Sequence, residues 1–137
     1  MDELERFRTE TVPQLQAADT ALHNGDPGPR IAMWSQRDPV TLFGAWLTGR
    51  GWAEIRPVFE ELGRRFSNCS SCQHEIVATG LSGDLAYVVA YEHTTAAVDG
   101  NEPISYQLRV TTIFRREDGQ WKVVHRHGDA VAPQAST

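Results

Sequence analysis

Arg115-Arg116-Glu117-Asp118-Gly119-Gln120-Trp121-Lys122-Val123-Val124-His125-Arg126-His127-Gly128-Asp129 carries the pattern that decides the fold. Asp118-Gly119 between two β-rich runs is a strong hairpin signal, because both residues tolerate the positive φ of a tight turn. Beyond the turn, period-two alternation places Trp121, Val123, His125, His127 and Asp129 on one face, with Lys122 and Arg126 on the other. An apolar strand end thus grades into two imidazoles and a carboxylate, the composition expected of a strand running from a core into a pocket.

Working outward, three more strands precede that one: Gln73 to Gly80, Asp84 to Ala97 and Pro103 to Arg116. Ser82-Gly83-Asp84 and Asp99-Gly100-Asn101 supply their turns. The N-terminal half reads differently. Thr11, Leu15, Ala18 and Leu22 recur at three- and four-residue steps, so a helix is expected from near Thr11, with Pro13 in its first turn and Gly25 at its C-cap. A short helix over Pro29 to Trp34 follows, and Asp38-Pro39 breaks the pattern. Val40 to Phe43 and Ala45 to Leu47 read as short strands around Gly44. A third helix, Trp52 to Phe66, shows an apolar side of Ile55, Val58, Phe59, Leu62 and Phe66. Helices first and consecutive hairpins after them predict an α+β fold with a mostly antiparallel sheet.

The 137 residues fit one domain over 1–132, with 133–137 as a flexible tail. A formal charge of -5 and no basic cluster argue against nucleic acid as a partner. No apolar run is long enough for a bilayer, and the charged first ten residues lack a signal core, so a cytoplasmic location is expected. Cys69 and Cys72 are the only cysteines. Their C-x-x-C spacing admits a redox pair, half a zinc site or coincidence. A zinc site needs two further ligands and only His74 lies near in sequence, while the strand pattern after Cys72 does not suit a thioredoxin-like pair. No metal or cofactor is assigned, and the redox state of the pair stays open.

This order of elements resembles the SnoaL-like and ketosteroid-isomerase-like branch of the nuclear transport factor 2 superfamily. The resemblance runs from about Leu15 to Val131. It rests on Gly25-Asp26, Phe43-Gly44-Ala45-Trp46, Gly51-Trp52, Leu108-Arg109-Val110-Thr111 and the Asp118-Gly119-Gln120-Trp121…His125-Arg126-His127 block. The Trp-x-x-x-His-x-His pattern is also similar to the association domain of calmodulin-dependent kinase II. What the resemblance implies is a cystatin-like cone, a curved sheet wrapped around three N-terminal helices. The superfamily holds isomerases, cyclases, dehydratases and non-catalytic modules, so the likeness fixes fold better than reaction.

By that resemblance Asp38, in Arg37-Asp38-Pro39-Val40, matches the carboxylate base of ketosteroid isomerases. The oxyanion donors do not match: their positions fall on Ala18 and Thr111, so the steroid-isomerase mechanism is not expected. Alternation puts Tyr91 and His93 on one face of their strand, and Arg109 with Thr111 on one face of the next. If Arg109 shares a cavity with His93, His127 and Asp129, an anionic or carbonyl-bearing ligand is favoured. Two functions follow. One is a proton-transfer enzyme of isomerase or cyclase type on a small apolar carbonyl compound, with Asp38, His127 and Asp129 catalytic and Trp34, Trp46, Phe59, Tyr91, His93, Arg109 and His125 around the ligand. The other is a non-catalytic ligand-binding or dimeric assembly module. Ile104, Tyr106, Leu108, Val110 and Phe114 make an apolar strand face that needs cover, and superfamily members pair through the sheet, which implies a homodimer.

Overall fold

The computed structural model describes residues 1–131; the tail expected at 133–137 lies outside the described residues. Three helices pack against one face of a six-stranded sheet, as the resemblance implies. The first runs without a break through α1 (Glu3–Arg6), a π-helical turn (Phe7–Thr11) and α2 (Val12–His23). It thus begins a full two turns before the predicted start. Pro13 has no N–H to give, and the wide turn just before it absorbs that lost bond without ending the helix. Helices α3 (Gly28–Met33) and α4 (Trp52–Arg65) complete the layer.

The strands are β1 (Thr41–Phe43), β2 (Thr48–Arg50), β3 (Phe66–Ser82), β4 (Leu85–Val98), β5 (Ile104–Glu117) and β6 (Gln120–Ala130), in the order β2-β1-β6-β5-β4-β3. All neighbours are antiparallel except β1 and β6, which run parallel. That contact sets the β1–β2 hairpin at the rim of the sheet. Its turn requires Gly44, since a Cβ there would sit 2.6 Å from the Leu47 carbonyl oxygen. At the opposite edge, β3 is seven residues longer at its start than expected. Two breaks in its register with β4, between Ser67 and Ser71 and between Ile76 and Ala78, let its polar run stay in the sheet.

The core lies between the inner sheet face and the helices. Phe7, Val40, Ile55, Phe59, Phe114 and Val123 are all essentially inaccessible. Phe7 meets Phe114 edge-on at 5.2 Å and Trp34 meets Phe59 likewise at 5.2 Å, which adds to their large apolar burial. Val110 and Phe114 of the apolar β5 face belong to this inner layer, and Tyr106 and Leu108 line a cavity within it. The helices and the β1–β2 hairpin cover that face from Tyr106 to Phe114 and leave Ile104 at its end exposed, so it is not the face left for a partner. No helix among the described residues is long and apolar enough to cross a membrane.

Residue Val124 overturns the alternation read in β6. Val123 pairs with Phe114, but the next pair is His125 with Ile113, so Val124 is an extra residue with no partner. A one-residue insertion exchanges the two faces beyond it. Trp121 packs on Phe7 and Val123 is buried, as read. After the bulge, Arg126 and Gly128 turn inward, and His125, His127 and Asp129 turn to the outer face.

Candidate functional site

Between α2, α4, the β1–β2 hairpin and strands β4 to β6 the sheet closes on a cavity of about 60 Å³. Leu22, Leu47, Phe59, Leu62, Phe66 and Leu108 make its wall, and Trp46, half exposed, stands at its lip. Its polar groups are Asp19, His23, Arg30, Glu92, Tyr106 and Arg126. They come from two geometries. Asp19 and His23 are four residues apart, one turn of α2, and so share a face. Glu92 and Arg126 occupy inward positions on β4 and β6 beside small residues such as Ala90 and Gly128, which leave room for their side chains.

Each charge in this cluster has a partner. Arg126 donates two bonds of 2.8 Å to the two oxygens of Glu92. Arg30 donates to Asp19 Oδ1 at 2.7 Å, and His74 Nε2 lies 2.8 Å from Asp19 Oδ2. His23 Nδ1 donates to the Asp19 backbone carbonyl at 2.8 Å, leaving Nε2 to accept from the Tyr106 hydroxyl. Burial alone would raise the Asp19 carboxyl, but Arg30, His23 and His74 outweigh it and hold it well below the ordinary carboxylate range. Burial, reinforced by Asp19, pushes the Tyr106 phenol upward, so it stays a neutral donor. Burial lowers Arg30, whereas Glu92 overcomes burial and raises Arg126. The site is therefore an apolar cup whose polar floor is charge-paired, with the Tyr106 hydroxyl proton held by His23 Nε2.

The expected site residues do not all reach this cavity. Phe59 and Trp46 line it. Trp34 is buried in the core behind Phe59 instead. Asp38 is exposed in the loop before β1, where its Oδ1 accepts from the Trp52 N–H at 3.0 Å and caps α4. His125, His127, Asp129, Arg109, Tyr91 and His93 do lie together, but on the outer face. Arg109 pairs with Asp129 at 2.6 Å, His93 with Glu75 at 3.1 Å, and both His125 and His127 stand edge-on to Phe43. The bulge at Val124 put the β6 members of this group outside, and Asp38 is directed away by its capping bond. A base at Asp38 and an acid at His127 therefore do not share a pocket.

Asp19, His23, Arg30, Glu92, Tyr106 and Arg126 escaped the sequence reading as site residues. A signal existed for two of them: Asp19 and His23 flank the Leu15–Leu22 stripe at helical spacing, which places them against the core and not in solvent.

The SnoaL-like domain model matches residues 15–133. The chain belongs to the SnoaL-like domain family. The SnoaL-like fold is shared with a nuclear transport factor 2-like superfamily protein from Salmonella enterica (TM-score 0.80, 17% identity, 96% of this chain and 95% of that one). A ketosteroid isomerase-like protein from Erwinia carotovora is also similar (TM-score 0.76, 18% identity, 96% and 98% covered). So is the calmodulin-dependent kinase II hub homology domain of Chlamydomonas reinhardtii (TM-score 0.70, 19% identity, 91% and 98% covered). At such identities these likenesses speak for the SnoaL-like architecture alone. No curated protein matches the chain.

Proposed function

We propose that this SnoaL-like domain is a non-catalytic binding module whose cone takes a small, mostly apolar molecule with one carbonyl oxygen. The observation that carries this reading is the closure of an apolar cavity onto the Tyr106–His23 pair. The Tyr106 hydroxyl orients a carbonyl by turning its proton from His23 Nε2 to the ligand, without needing an opposite charge. A strongly anionic ligand fits less well, because Arg30 and Arg126 are already neutralised by Asp19 and Glu92. The same cluster does not favour turnover: the carboxylates that could act as base are tied to guanidinium groups, and Asp38 lies outside. In this reading the domain works as a homodimer through its outer sheet face, in keeping with a fold that also serves as a hub.

The test is methyl NMR of the protein with cyclopentanone and, separately, with acetate. Cyclopentanone shifts the methyls of Leu22, Leu62 and Leu108, and Tyr106→Phe weakens its binding about three- to tenfold, the worth of one hydrogen bond of about 0.5–1.5 kcal/mol. Silence of those methyls with both compounds rejects the pocket. Protein-dependent exchange of the ketone's α-hydrogens with deuterated solvent, lost in His23→Gln, would instead make the cone a proton-transfer site.

A further inference from the structure

We propose that Cys69, Cys72, Asp19 and His23 form a binding site for a thiophilic divalent cation, with Zn²⁺ the best fit. On a regular strand, residues three apart point to opposite faces. The register break between Ser67 and Ser71, with Asn68 at φ 53, removes that obstacle. Cys72 Sγ lies 3.4 Å from Asp19 Oδ2, while the Cys69 thiol, three residues before it, donates to the Ser71 carbonyl at 3.4 Å and must turn from it to join the shell. His23 Nδ1 is 3.2 Å from Asp19 Oδ1, and the donor atoms of Asp19, His23 and Cys72 all fall within 4.8 Å of one another. Tetrahedral zinc with these ligand types spaces its donors by about 3.3–3.8 Å, so small side-chain shifts complete the shell. Asp19, His23 and Cys72 are buried, while half-buried Cys69 at the sheet edge gives the ion a way in.

Charge decides which cation and which ligands. Arg30 and Arg126 already balance Asp19 and Glu92, so an incoming dication must bring two negative charges with it. The two thiols supply them by losing their protons to solvent as the metal–sulfur bonds form. His23 surrenders its Nδ1 proton and takes the Nε2–H tautomer, whose donor then points at the Tyr106 oxygen. Metal-ligating histidines commonly hold their second nitrogen in this way. The other acidic and imidazole group, Asp19, His74 and Glu92, is a poorer candidate for a thiophilic ion because it holds no thiol to bring the needed negative charge.

The experiment uses the full chain, freed of metal and kept reduced with a phosphine, and titrates Co²⁺ and then Zn²⁺. The expected result is a thiolate-to-cobalt charge-transfer band with intense tetrahedral visible bands, saturating at one ion per chain and bleached by Zn²⁺. Cys69→Ser and Cys72→Ser each remove the charge-transfer intensity, whereas His74→Gln leaves it unchanged. Cys69 is half-buried and its serine variant keeps the fold, so the test stands even if the Cys72 variant does not fold. Absence of the band in the reduced chain, or its survival in Cys69→Ser, overturns the site.

Discussion

At the scale of residues, the molecule is distinguished by charges it keeps inside. Side chains of Arg126 and Glu92 are about one-tenth exposed or less and hold each other through two bonds. Removing one partner of such a pair leaves a buried charge with nothing to balance it, whereas removing both need not cost much. Arg126→Met is therefore expected to lower unfolding free energy by about 3–5 kcal/mol in urea titrations, and Arg126→Met with Glu92→Leu to recover most of that loss. Two groups make stability depend on pH with the same sign. Asp19 is held well below the usual range, so the unfolded chain takes up its proton first and stability falls as pH drops below about 3.8. His125 is lowered from 6.5 by burial and then by His127, so its contribution fades as pH falls below 6.5. Urea midpoints measured from pH 7 downward should decline, and His125→Gln should flatten the first part of that decline. At this scale the sequence shows residue types without their direction. Trp46 and Phe59 are legible as cavity residues because apolar aromatics near a hairpin turn and on a helix stripe face inward. Arg126 and Glu92 are not, because buried charge is a pairing property that neither residue announces alone.

Elements are more legible than residues. Asp118-Gly119 and Asp99-Gly100 mark hairpins because their positive φ values, 51 and 78 in the first and 55 and 73 in the second, suit few other residues. The amphipathic stripe of α4 and the long runs of β4 and β5 are equally plain. What alternation does not reveal is a bulge, since the inserted Val124 is as apolar and β-branched as its neighbours. That single residue separates the two readings of the last strand. Deleting Val124 would remove the extra residue and let β6 pair regularly with β5, with His125 and His127 still on the outer face and Arg126 still turned in toward Glu92. The expected outcome is a transition that stays sharp in calorimetry, because the Arg126–Glu92 pair is kept; a broad, non-cooperative transition would show that the bulge itself is required. The early start of β3 was hidden for a related reason. Asn68-Cys69-Ser70-Ser71 has low strand propensity, and only pairing with β4 across an irregular register draws it into the sheet.

Across the whole molecule, the helices cover the inner face and, among the described residues, leave the outer one open. Phe43 and Tyr87 are each more than two-fifths exposed there, beside the His125, His127 and Arg109–Asp129 groups. Exposed ion pairs such as Arg109–Asp129, with side chains 61% and 51% accessible, contribute little to stability but help set a partner's register. In the proposed homodimer these aromatics meet across the interface. Light scattering at micromolar concentration should give twice the chain mass, and Phe43→Lys with Tyr87→Lys should halve it without changing the far-ultraviolet circular dichroism. A monomeric parent chain would remove that proposal. The edge formed by β3 has a separate consequence. Its two irregularities bend and twist a boundary that would otherwise offer a long, straight row of free amides to any neighbouring chain. With Ile76 and Val77 accessible on that rim, smoothing the second kink by deleting Val77 would turn a self-limiting particle into a seed for fibril growth.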